Sequence, residues 1–191
     1  TRSGPVARLG VVLAVVAALL ASSKAAAGSA GAQDAAPEGG PSGRYTDRVF
    51  ASAARSTATY ATASALIGGA PTTLWLDIYQ PVGDTLAARP AIVWIHGGGF
   101  VGGSRGDLAD IATAYARRGY VTFSIDYRLD RGSRCGAVQD GVTDPQVVAR
   151  CAAVIAAAQE DALDAIRWVR DNAATYRIDT TRVAVGGSSA G

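Results

Sequence analysis

The sequence predicts an α/β domain built on a doubly wound, mostly parallel sheet. Three short apolar runs, AIVWI (91–95), VTFSIDY (121–127) and RVAVGG (182–187), have the length of strands buried on both faces. Helical patterns lie between consecutive runs, and strand, helix, strand, helix, strand is the order that a parallel sheet with crossover helices requires. The 191 residues are 49% hydrophobic and 18% charged, a composition suited to one globular domain with a sizeable core.

The elements follow in order. Arg2 and Arg8 precede the apolar run LGVVLAVVAALLA (9–21), and the small residues after it include AAA (25–27) and AGA (30–32). This is the order of a secretory signal peptide, assigned to residues 1–32, with a single membrane anchor as the alternative; the run is short of the roughly 20 residues of a membrane span. No cysteine directly follows it, so nothing supports a lipoprotein anchor. Residues 22–43 are mostly Ala, Gly, Ser and Pro, which cannot repay the entropy of ordering, and residues 33–50 are read as a linker to a domain over 51–191. The chain contains no methionine and starts at Thr1, so a natural start is missing unless the N-terminus was processed or an unusual start codon was used, and both ends are candidate cuts.

Within the domain, TATYATA precedes a GGAP turn and then TTLWLDIYQP. There Leu74, Leu76 and Ile78 alternate with Thr73, Trp75 and Asp77, as in a strand with one buried face. AIVWI is bounded by Pro90 and a glycine cluster. The helix after it places Leu108, Ile111, Ala112 and Tyr115 at helical spacing, with Gly119 positioned to end it. After VTFSIDY, residues 128–160 hold several glycines, Pro145 and both cysteines, and read as a long surface excursion with a short helix of its own. A second helix over 161–176 carries Ala162, Ile166 and Val169 on one stripe, with Arg167 and Arg170 outside it. No internal repeat is present.

Charge and cysteine count narrow the function. The net charge of +2 comes from 18 basic and 16 acidic residues without a basic run, so no nucleic-acid partner is indicated. Cys135 and Cys151 are the only cysteines. In an exported chain they form a candidate disulfide that stabilises by about 3 kcal/mol in the loop-entropy model, and two free thiols are the alternative. Their spacing is not that of a zinc or redox CxxC site, and no metal or cofactor is called for.

Two motifs carry chemistry. In AVGGSSAG (184–191), the frame Gly187, Ser189, Gly191 fits GxSxG, making Ser189 the candidate nucleophile on a strand-to-helix turn. By itself a GxSxG in a glycine-rich chain is equally well a plain turn. HGGGF (96–100) follows a buried strand and exposes backbone N–H groups without Cβ obstruction, as an oxyanion hole needs. The bland reading is a turn or a phosphate loop, but neither GxxxxGK[ST] nor GxGxxG is present.

The pairing of WIHGGGF with VGGSSAG, with LDIYQP ahead and DALDAIRWVR between, resembles the α/β-hydrolase superfamily from about Thr57 to Gly191. Within it the likeness is to the carboxylesterase and lipase branch related to hormone-sensitive lipase and to bacterial feruloyl and acetyl-xylan esterases. The resemblance implies that Ser189 is the nucleophile and that the N–H groups of Gly98, Gly99 and Ala190 form the oxyanion hole. His96 and Gly97 would support the glycine loop, and Asp126 would serve packing and hydrogen bonding. The implied substrate is a small-molecule or polysaccharide-linked ester and the implied location secreted or periplasmic, with membrane contact only through an uncleaved N-terminal segment. In this fold the acid and the histidine of the triad follow the serine along the chain. The sole histidine, His96, precedes it, so the expectation is an N-terminal piece, inactive alone, that lacks its base. A serine peptidase of the prolyl-oligopeptidase type and a non-catalytic binding module on the same fold are the competing readings.

Overall fold

The computed structural model describes residues 42–66 and 70–191. The expected signal segment, the first half of the expected linker (33–41), and Gly68 and Gly69 of GGAP lie outside these residues. Five strands are present: β1 (Ala53–Ala63), β2 (Thr72–Pro81), β3 (Arg89–Ile95), β4 (Val121–Ile125) and β5 (Ile178–Gly187). Their order in the sheet is β1-β2-β4-β3-β5. The centre is parallel as expected, with β3 between β4 and β5, whereas β2 runs antiparallel to both β1 and β4.

Helices cover both faces, so β3 and β4 are buried almost throughout. The helix α1 (Ala109–Ala116) follows a 3-10 turn at Arg105–Leu108, α2 (Cys135–Gln139) is short, α3 (Pro145–Asp171) is long, and α4 (Ala173–Tyr176) leads into β5. Val93, Val121, Phe123 and Ile125 pack with Ala165 and Val169 of α3, and Ile92 and Trp94 pack with Ala112 and Ala116 of α1 on the opposite face. Gly119 closes the turn after α1 at φ +104°, and its N–H donates to the Ala116 carbonyl at 2.8 Å.

Several sequence expectations are corrected. Asp77, expected on a solvent face, is fully buried, because Arg55 and Thr57 of β1 and Arg105 before α1 all donate to its carboxylate. Ile111 is 38% exposed, since the inward stripe of α1 runs through Leu108, Ala112, Tyr115 and Ala116 and leaves it at the edge. The excursion ends at Asp144, not at Glu160: the Asp144 carboxylate accepts from the Gln146 and Val147 N–H groups, Pro145 occupies the first turn, and the alanine-rich stretch becomes the front half of α3. The strand β5 is not buried on both faces: it is intermediate or exposed after Ile178, with Val185 51% exposed, and among the described residues it pairs with β3 alone. The end of the expected linker is pinned to the domain by Tyr45 N–H to the Arg118 carbonyl at 2.7 Å and by an ion pair between Arg44 and Asp84.

Candidate active site

Register places the two motifs side by side. Ile95, the last residue of β3, is level with Gly187, the last of β5, so HGGGF and GSSAG leave the sheet at the same edge. The Ser188 N–H donates to the Ile95 carbonyl at 3.2 Å, and the Gly191 N–H closes a turn on the Ser188 carbonyl at 3.0 Å. Between them Ser189 is held at φ +56°, a left-handed conformation that costs a residue with a Cβ about 1–2 kcal/mol. Ser189 is exposed. A Cβ at Gly187 would lie 2.5 Å from the Gly191 carbonyl carbon, so the outer glycines of the motif allow the turn to close on itself.

The glycine loop is braced from below by His96. Its ring is fully buried and stacks on Tyr127, with centroids 4.3 Å apart and planes at 17°. Nδ1 lies 2.7 Å from the Gly97 carbonyl oxygen, which can only accept, so Nδ1 carries the proton. The Tyr127 hydroxyl donates to the His96 carbonyl at 2.9 Å. A Cβ at Gly97 would lie 2.8 Å from the Ser188 carbonyl oxygen and 3.1 Å from Ser189 Cβ, which measures how closely the loop approaches the turn. Gly98 turns the loop at φ +116°, and its carbonyl accepts from the Val101 and Gly102 N–H groups. Phe100 follows at φ +65°, a second non-glycine residue in the left-handed region.

Among the described residues no carbonyl or side chain accepts from the N–H groups of Gly98, Gly99 or Ala190, while those of Ser188 and Gly191 are engaged. Free backbone donors beside an exposed serine hydroxyl suit a carbonyl oxygen that gains negative charge. A cavity of about 550 Å³ opens beside them, lined on one side by Gly99, Phe100, Ser189 and Ala190 and on the other by α2 and α3 around the bonded pair Cys135 and Cys151. Among the described residues no histidine, aspartate or glutamate lines this cavity. A larger cavity of about 680 Å³ beside Tyr127 and Arg128 includes neither Ser189 nor the glycine loop.

Residues after β4 hold the site from the side, and sequence reading gave most of them no role. Asp126 accepts from the Arg105 N–H at 2.8 Å and pairs with the Arg105 guanidinium, while its carbonyl accepts from the Tyr60 hydroxyl at 2.5 Å. Burial, with the Asp161 and Asp126 carboxylates nearby, pushes the Tyr60 hydroxyl far above its ordinary pKa, so it stays a donor. Arg128 grips Asp161 of α3 from its backbone N–H at 2.7 Å and from Nε at 2.9 Å. Asp130 donates its N–H to the Phe100 carbonyl at 2.9 Å, and hydrogen bonds from Arg150 hold its carboxyl below the usual aspartate range. The signal available in the sequence was DYRLD directly after a buried strand, a density of polar groups that only a network can satisfy.

The profile of the BD-FAE family matches residues 76–144 and 147–191. Phenmedipham hydrolase of Pseudarthrobacter oxydans is 36% identical over 121 residues, which are 62% of this chain and 21% of that protein. Carboxylesterase 1C of Rattus norvegicus is 34% identical over 119 residues, 62% of this chain and 20% of that one. Among solved structures, native esterase 2 of Thermogutta terrifontis superposes with a TM-score of 0.53 at 30% identity, covering 71% of this chain and 40% of the esterase. The same enzyme phosphorylated by paraoxon gives 0.54 at 28% identity, covering 71% and 44%. The chain thus spans about one fifth of the length of these curated relatives.

Proposed function

This chain belongs to the BD-FAE family and has the α/β-hydrolase fold, and from that premise we propose that it is part of a serine carboxylic-ester hydrolase working through an acyl-enzyme intermediate. The observation that carries the proposal is Ser189 at positive φ, packed against Gly97 and flanked by the unengaged N–H groups of Gly98, Gly99 and Ala190. Ser189 Oγ would attack the ester carbonyl and the three N–H groups would hold the oxyanion. Collapse of the tetrahedral intermediate would expel the alcohol, and water would then release the acid.

A base must take the Oγ proton, and His96 is unsuited to that role because it is buried beneath the loop with Nδ1 engaged on Gly97. We therefore place the base and its orienting carboxylate outside the present sequence, and the 191-residue chain alone is expected to be inactive. The non-catalytic reading is favoured by one observation, the lack of a histidine or carboxylate in the described cavity lining. Export to an oxidising compartment is supported by the Cys135–Cys151 bond and by the order of residues 1–32. The deciding experiment is hydrolysis of p-nitrophenyl acetate by the full-length protein and its Ser189→Ala variant. A loss on the order of 10³-fold or more in kcat is expected; an unaffected variant would remove Ser189 from the chemistry, and no hydrolysis by the unaltered full-length protein would leave the binding-module reading standing.

A further inference from the structure

We propose that the cavity beside Ser189 receives an uncharged, apolar chain of the ester, and that Gly136 and Val138 of α2 with Ile155 of α3 set the length it accepts. This deepens the serine-hydrolase reading and rests on it. The cavity holds about 550 Å³, and among the described residues no charged side chain lines it. Phe100, Val138 and Ile155 supply apolar surface, and besides Ser189 the polar side chain present is Gln139. A carboxylate or phosphate on the bound chain would lose water there without gaining an ionic partner, which excludes charged chains.

The wall opposite Ser189 is positioned by an unusual device. With five residues, α2 is too short to persist by its own hydrogen bonds. It is fastened to α3 by the Cys135–Cys151 bond, with Cα atoms 5.0 Å apart, and both cysteines line the cavity. The distance across the cavity from Ser189 is therefore set by a covalent tether from the excursion to the long helix. Gly136 is where that distance is open to change: it lines the cavity, and a Cβ added there meets no atom within 4 Å. A Cβ at this position enters open space and displaces no wall.

The test uses the full-length protein, its Gly136→Leu and Ile155→Ala variants, and circular dichroism to establish that each is folded. Two ester series are assayed, one with a constant p-nitrophenyl alcohol and acyl chains from acetyl to octanoyl, the other with a constant acetyl group and alcohols of matching length. In Gly136→Leu the ratio of kcat/KM for the longest to the shortest ester is expected to fall about tenfold or more, and in Ile155→Ala to rise. The series in which this happens identifies the chain as acyl or alcohol. Unchanged ratios in both series overturn the proposal. Occupancy is read separately from turnover by NMR titration of the Ser189→Ala protein with octan-2-one and with octanoate. Binding of the ketone, weakened about tenfold by adding Gly136→Leu, supports the assignment. Octanoate binding as well as the ketone, or ketone binding indifferent to Gly136→Leu, defeats it. Ketone binding without hydrolysis of any ester would overturn the serine-hydrolase reading while the receptor for the chain stands.

Discussion

Ser189 carries a cost that its neighbours do not. At φ +56° a Cβ is disfavoured, and glycine adopts the same backbone freely. Ser189→Gly is therefore expected to be more stable than Ser189→Ala by about 1 kcal/mol, measured by urea unfolding of the full-length protein. Equal stability of the two would show that the turn is not strained. Tyr127 offers a second check, because its hydroxyl is the donor to the buried His96 carbonyl and its ring supports the imidazole. Tyr127→Phe leaves that carbonyl without this donor at a cost of about 1–3 kcal/mol. If His96 and Tyr127 hold the glycine loop in place for the oxyanion, the same variant lowers kcat more than it raises KM. A change confined to stability would assign Tyr127 to the core alone.

The helices α2 and α3 join the site to the sheet, and two contacts decide how firmly. The first is the Cys135–Cys151 bond, which is expected to leave no thiol reactive to alkylation without reductant and to contribute about 3 kcal/mol by loop entropy. Thiol counting before and after reduction measures the first quantity, and thermal unfolding of the Cys135→Ser, Cys151→Ser double variant the second. The other contact is the buried grip of Arg128 on Asp161, which attaches the segment after β4 to the middle of α3. Asp161→Ala strands a buried guanidinium and should cost about 3–5 kcal/mol, read from the shift in urea midpoint. A shift under about 1 kcal/mol would mean that Glu160 and the Ser64 and Ala157 carbonyls suffice to hold Arg128.

Over the molecule as a whole, one pH dependence belongs to the end of the sheet remote from Ser189, where Asp84 meets Arg44 and Arg89. Burial alone would raise the Asp84 pKa, but hydrogen bonds from Arg44 and the Leu86 N–H outweigh it and hold the carboxyl below its ordinary value. The buried Arg89 guanidinium beside it has its own pKa lowered to about 10 by burial and by the neighbouring Arg177. Because the folded-state pKa of Asp84 is depressed, its stabilisation is present above the ordinary aspartate value of about 3.9 and is lost as pH falls through the folded value. Asp84→Asn should thus lower Tm at neutral pH, and the gap to the unaltered protein should close below about pH 4. A gap independent of pH would assign the loss to packing. The outer side of β5 is unpaired among the described residues and Val185 is exposed, so the 191-residue chain alone is expected to self-associate. Val185→Lys should reduce that association in light scattering.

Much of this was legible in the residues and some of it was not, and the division has a physical basis. The strand positions and the two-faced sheet follow from local pattern: apolar runs and helical spacing each report on a few adjacent residues. The GxSxG frame singles out Ser189 over Ser188 as the candidate, and the supporting role of His96 was implied by the family resemblance. What escaped local pattern was decided by partners distant in sequence. Asp77 reads as a solvent-facing residue until Arg55, Thr57 and Arg105 are brought to it. Thr122 and Ser124 sit buried within an apolar strand because the Ala112 and Arg105 carbonyls accept their hydroxyls. The VAV run of β5 suggests burial, yet its exposure depends on what packs around it in three dimensions. The cavity wall is the extreme case: whether α2 faces Ser189 depends on where α3 packs on the sheet, and no window of sequence around Cys135 contains that information.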